Sequence, residues 1–369
     1  MKTGRLLLVM LVLGLSACSS LDGKTPYEMV NVSMQRSLTK DYQYNFASET
    51  RVYGSEYDKG LQPDSKSKPS VKERSSMAGK AADALKDYPA LAYFVANGRL
   101  NISGAVDWQA EKVELIPELS VHNRNDHSAV RMPILLDGKD MSITADMPTA
   151  VPLVLNFMVE PALRERLVHE PIRFALADAG KSVQNKPIKT WIKALLFASS
   201  QAYAGIPAEQ FQSLPLDEFA KHSQAKYRIG LAWNQKVQQA YFKAFANHWA
   251  REFDRLQKES PEANVSEQAY RETRKASLEL FEEFVMEEDW QGAIFGQAVM
   301  RNLYLDGKGR LVGYREYVQI NGNKQALNMD TQIKLFNFGR PQFTFQPATG
   351  KYITFTELLQ SMKTNRSAK

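Results

Sequence analysis

The chain is almost without cysteine. One cysteine, Cys18, stands among 369 residues. An internal disulfide, a zinc–thiolate centre and an iron–sulfur cluster are therefore excluded. Histidine is scarce too: His122, His127, His169, His222 and His248 are the only five, and no pair has the H-E-x-x-H spacing of a zinc peptidase. There is no G-x-S-x-G nucleophile elbow and no dinucleotide fingerprint. Gly23-Lys24-Thr25 lacks the upstream glycine of a phosphate-binding loop, because Cys18 occupies that position. Ser37-Leu38-Thr39-Lys40 fits S-x-x-K, but so do Ser65 with Lys68 and Ser223 with Lys226, and a pattern met three times in one chain is chance. Charge of one sign is not in large excess: 47 Lys and Arg face 41 Asp and Glu. That balance does not indicate a nucleic-acid binder. Long apolar runs are missing outside the first twenty residues, and the run there falls short of the about 20 residues needed to span a bilayer.

That run is the most informative stretch present. Lys2 and Arg5 precede an apolar segment, Leu6–Leu15, which ends in Leu15-Ser16-Ala17-Cys18. A basic start followed by a short apolar core is the pattern of a secretory signal. The closing four residues resemble the lipobox of bacterial lipoproteins. The resemblance implies cleavage before Cys18, a thioether from Cys18 to a diacylglyceryl group, and acylation of the new amino terminus. Two or more buried chains give stable anchoring. Ser19 stands where an inner-membrane retention signal has Asp, which implies the periplasmic face of the outer membrane. A plain cleaved signal or an N-terminal anchor helix is the alternative. Loss of Lys2 and Arg5 leaves 45 cationic against 41 anionic side chains, a formal charge of +4.

Residues 1–17 thus read as a leader and 18–27 as a polar tether. Residues 28–160 read as an N-terminal helix and an antiparallel meander, 161–290 as a helical section, and 291–369 as strands that complete the sheet. Val30, Met34 and Leu38 at four-residue spacing predict a short helix, and Tyr42, Tyr44 and Phe46 a strand. Residues 54–80 are rich in Ser, Lys, Pro and Gly and read as a loop; 81–96 read as helical. Five period-2 runs follow: Leu100–Val106, Val113–Val121, Val130–Leu136, Met141–Met147 and Val151–Val159. Such alternation predicts an antiparallel sheet with one apolar face. Asp137-Gly138 suits a type I′ turn.

The period then changes. Leu163, Leu167 and Phe174 suggest one helix. Ile188, Trp191, Ile192, Leu195 and Leu196 form a stripe on 187–203, with Lys186, Lys189 and Lys193 off it. That stripe fits a helix packed on the sheet better than a membrane-surface helix. Residues 233–256 and 266–288 predict an antiparallel helical hairpin. Alternation returns over 312–320 and 327–335, with Phe343 and Phe345 as a further short strand and 354–362 as a closing helix. His122, His127 and Asp126 flank one turn but make at most an incomplete metal site, and Glu282, Glu283, Glu287, Glu288 and Asp289 read as a solvated helix face. No metal and no cofactor is expected.

The lipobox, the first helix, the long meander, Leu303–Val312 (LYLDGKGRLV) and Asn337–Pro341 (NFGRP) together resemble the LolA/LolB-type periplasmic fold. That fold is a curved sheet, or open half-barrel, which holds helices and binds lipid or acyl chains. The helical section departs from it. The expected class is α+β, a curved antiparallel sheet with an inserted helical layer. The resemblance implies a non-enzymatic lipoprotein, held to the membrane through Cys18, that binds a lipid or acyl chain. Leu115, Ile134, Ile143, Phe157, Val318 and Leu335 would line that space, unless they are plain core. An accessory lipoprotein docked on an envelope protein complex is the alternative. An envelope hydrolase has no nucleophile–base constellation behind it.

Overall fold

The computed structural model describes residues 21–54, 98–122, 127–148, 159–178, 186–286, 298–321, 326–347 and 350–367. Cys18, the reading of 55–97, the fifth alternating run up to residue 158 with Phe157, and the turn at 123–126 lie outside them.

Thirteen described strands form one sheet. In chain order they are β1 (Gln43–Gly54), β2 (Gly98–Asp107), β3 (Lys112–His122), β4 (His127–Arg131), β5 (Ile134–Asp137), β6 (Ser142–Ala145), β7 (Ile172–Ala175), β8 (Phe211–Leu214), β9 (Tyr227–Ala232), β10 (Ala298–Leu305), β11 (Leu311–Asn321), β12 (Ala326–Phe336) and β13 (Ile353–Thr354). The spatial order is β13-β7-β6-β5-β3-β2-β1-β12-β11-β10-β9-β8, with β4 also on β3. All pairings are antiparallel except β13 on β7. The sheet is curved and unclosed, and helices lie against it, so the fold is α+β and half-barrel-like as the sequence predicts.

Seven described helices accompany it: α1 (Pro26–Thr39), α2 (Pro161–Leu167), α3 (Ile188–Gln201), α4 (Glu218–His222), α5 (Gln235–Glu259), α6 (Glu267–Met286) and α7 (Phe355–Ser367). Their starts are written in side chains. Thr25 accepts the Glu28 N–H while Glu28 reaches back to the Thr25 N–H, a capping box with Pro26 in the first turn. Asn234 caps α5 at the Val237 N–H, 3.0 Å away.

The register assigns the faces. Side chains directly opposite on neighbouring strands share a face. One row therefore crosses the sheet as Leu335, Phe46, Gly104, Leu115, Ile134, Ala145 and Ile172. Leu303, Tyr314 and Val318 belong to the same face at the other end. There Met29, Val30 and Met34 of α1 pack on Ile229, Leu231, Leu303 and Leu305. A second cluster lies between helices: Ala194, Ala198 and Ala202 on one side, Phe245, Trp249, Phe253, Tyr270 and Phe281 on the other. It joins α3, α5 and α6, and includes the expected hairpin of the two long helices.

Four local expectations are corrected. The section 161–290 is mixed rather than helical, because β7, β8 and β9 interrupt it and extend both ends of the sheet. Phe174 accordingly sits in a strand. The run Val130–Leu136 is two strands, since Pro133 has no N–H to give the ladder; β4 and β5 both pair with β3. The β5–β6 connection is not type I′, for Gly138 does not have a positive φ; the left-handed residue is Met141, at φ 52°. Phe343 and Phe345 lie in no strand. Residues 337–347 instead run over the outer face of the sheet, bound by side chains of β1 and β3. Asn45 Nδ2 donates to the Gln342 carbonyl at 2.8 Å, and its Oδ1 accepts the Gln342 N–H at 2.9 Å. Glu114 accepts the N–H groups of Thr344 and Phe345.

Candidate functional site, a groove at the rim of the sheet

Two hairpin turns lie side by side where β2 meets β3 and β5 meets β6. Asp107 Oδ1 accepts the Ala110 N–H at 2.9 Å and tightens the first turn. The Gly138 N–H donates to the Glu111 carbonyl at 2.7 Å and ties the second turn to it. Each turn ends on a large residue in the left-handed region, Glu111 at φ 57° and Met141 at φ 52°. Non-glycine residues rarely sit there, and such positions recur at functional sites.

Above the turns lies α3. Its small residues Thr190, Ala194 and Ala198 form the fully buried stripe. They face the aromatic side of α5, where short side chains permit close approach. The large residues therefore flank that contact instead of filling it. Ile192, Leu196 and Phe197 line a groove of about 650 Å³ together with Leu38, Tyr42, Trp108 and Met141. Trp108 is 38% and Ile192 39% exposed, so the mouth opens to solvent. The lining is mostly apolar.

Charge is confined to two places. Lys189 Nζ lies 2.6 Å from one oxygen of Glu111, and Lys193 Nζ lies 2.9 Å from the other. Burial pushes the Glu111 carboxyl up, but the hydrogen bonds and charges of the two lysines outweigh it and hold the group below the ordinary carboxylate value. On α5 Arg255 makes a fork on Glu252 at 2.8 and 2.6 Å. That pair and Glu259 raise the Arg255 guanidinium still further above its ordinary value.

The residues expected to line a ligand space are placed differently. Leu115, Ile134, Ile143, Val318 and Leu335 all lie on the helix-bearing face, and Leu335, Leu115 and Ile134 share the single row described above. None of the five lines the groove. Val318 packs on the α1 cluster, whereas Ile143 is 45% exposed. His122 and His127 are directly paired in register. Among the described residues no three His, Cys, Asp or Glu converge as metal ligands. The sequence showed the α3 stripe with Lys189 and Lys193 beside it, but not the groove, because its residues come together from α1, two turns, α3 and α5. One signal was available: bulky Glu111 and Met141 stand where tight turns usually take Gly or Asn.

Comparison with protein-family models, curated proteins and solved structures finds no match for this chain. No described helix is long and apolar enough to cross a membrane.

Proposed function

We propose that this chain is a non-enzymatic lipoprotein, anchored through Cys18 at the periplasmic face of the outer membrane, that binds an apolar ligand, a lipid or an acyl chain. The observation that carries this reading is the rim groove. Its volume of about 650 Å³ falls within the roughly 300–1,000 Å³ of small-molecule sites. Its lining is mostly aliphatic and aromatic and includes the charged groups of Glu111, Lys189, Lys193, Glu252 and Arg255, the mixture an amphiphile requires. The leader and lipobox pattern supports the anchor, and a curved, unclosed sheet with helices packed on it agrees with the LolA/LolB-type resemblance.

The test uses the chain with Cys18→Ser, exported with a non-lipidating signal and purified without detergent. Native mass spectrometry and solvent extraction are expected to find a bound lipid at stoichiometric level. A protein that is empty, and stays empty after incubation with envelope lipids, overturns the reading.

A second reading, an accessory lipoprotein docked on an envelope complex, has one observation in its favour. Leu100, Leu119 and Val130 stand opposite one another across β2, β3 and β4, and each is at least 37% exposed. Three adjacent exposed aliphatic side chains are the start of an interaction patch. Changing Leu119 to Lys is expected to abolish membrane-free association with such a partner and to leave ligand binding in the groove intact.

A further inference from the structure

We propose that the groove takes a single acyl chain with an anionic head, and that Lys189 and Lys193 hold the head. This rests on the reading that the groove binds an apolar ligand, and names the ligand's class.

The first observation is the arrangement of Glu111. Its two oxygens each meet one ammonium group, from lysines one helical turn apart on α3. The protein has thus built a two-pronged cradle for a carboxylate and filled it with its own. Neither lysine is sealed from water: their side chains are 33% and 47% exposed. An incoming carboxylate or phosphate meets the same two donors by displacing, or sharing with, Glu111. Glu111 is held at φ 57°, a backbone conformation its side chain does not favour.

The second observation is the direction of the walls. Lys189 stands three residues before Ile192, and Lys193 stands three and four residues before Leu196 and Phe197 on the same helix; all five line the groove. Spacings of three and four residues set the two lysines beside the apolar strip. A chain whose head is bound by the lysines lies along Ile192 and Leu196, with Trp108, Met141 and Leu38 around it. The lining carries three cations, Lys189, Lys193 and Arg255, against two carboxylates, Glu111 and Glu252. A cationic head would meet an excess of like charge.

Size favours one chain over two. A methylene takes up about 30 Å³, the share of one water molecule in the liquid. A sixteen-carbon chain then needs about 500 Å³, which the groove holds, and a two-chain lipid needs about twice that, which it does not.

The test titrates the Cys18→Ser chain with palmitate, with hexadecanol, and with vesicles of diacyl phosphatidylglycerol. Brominated stearate locates the site through quenching of Trp108, with Trp108→Phe as the reference. Palmitate is expected to bind about tenfold more tightly than hexadecanol, as a charge-assisted pair of bonds implies. Lys189→Gln with Lys193→Gln is expected to remove that difference, and the corresponding pair of arginine substitutions to keep it. Quenching is expected to vanish in Trp108→Phe. Equal binding of palmitate and hexadecanol overturns the anionic head but leaves an apolar-ligand protein standing. Extraction of diacyl lipid at least as tight as palmitate overturns the single chain. Binding of none of the three probes overturns both this inference and the reading beneath it. Circular dichroism of the glutamine variants separates lost binding from lost fold.

Discussion

The carboxylate of Glu114 accepts the backbone N–H of Thr344 at 2.8 Å, a bond between residues 230 positions apart in the chain. The same oxygen takes the N–H of Phe345, and Glu114 itself is only 1% exposed. One side chain of β3 thereby fixes the segment that carries the chain from β12, mid-sheet, to β13 at its edge.

Glu114→Ala is expected to lower stability by roughly 2–4 kcal/mol, because it leaves two backbone donors without their charged acceptor. Asn45→Ala acts on the same segment. The two losses are expected to fall short of additive, since either one releases residues that the other also holds. Urea denaturation of both single variants and the double variant measures this.

Gly104→Ala meets backbone. A Cβ at this position lies 1.9 Å from the Glu114 carbonyl oxygen and 2.9 Å from the Phe46 ring. Neither neighbour can yield without bending β3 or expelling Phe46 from its row. A loss at the upper end of the about 1–3 kcal/mol for overpacking is expected. Gly307→Ala, whose Cβ would find only Lys226 Cδ at 3.5 Å, serves as the tolerated control in the same thermal melts.

Under the helices, the Arg301 guanidinium lies 3.4 Å from the centre of the Trp233 ring and donates to Glu316 at 2.8 Å. Removal of the cation alone strands a carboxylate. Arg301→Met is expected to destabilise by about 3–5 kcal/mol, while Arg301→Met with Glu316→Leu recovers most of that loss. Equal losses in the single and double variants would show the pair to be idle.

Acid is expected to loosen the groove. The Glu111 carboxyl is held below its ordinary value in the folded chain. Such a group contributes stability that is present in full above its unfolded value, about 4.3, and is lost as pH falls through the lower, folded one. The urea midpoint is therefore expected to drop below pH 4–5 by more in the parent chain than in Glu111→Gln. Identical acid profiles would refute the lysine cradle as an electrostatic feature.

The meander was legible because it is half-buried antiparallel sheet, whose alternation is set by geometry alone. Leu100, Ile102 and Val106 announce it. β7 and β8 were not legible, since four-residue strands such as Ile172–Ala175 are too short to show a period, and β7 takes its neighbours β6 and β13 from elsewhere in the chain. Phe343 and Phe345 mimicked a strand because the segment is extended, yet its partners are the side chains of Asn45 and Glu114. On α3 the stripe of Ile188, Ile192 and Leu196 was visible. Which side of it faces core was not, because buried Ala194 and Ala198 weigh little on any hydrophobicity scale. The groove was the least legible part: its residues are joined only by the folded turns.

The pairing of β1 with β12 has a consequence in time. Thr50 and Thr331 share a hydrogen bond across 281 positions of chain. The first strand made waits beside open edges until nearly the last is synthesised. Sequence-distant pairing of this kind is slow, and its unfinished edges invite aggregation. A nascent chain that ends before residue 326 lacks β12, and so leaves the facing edges of β1 and β11 open at once.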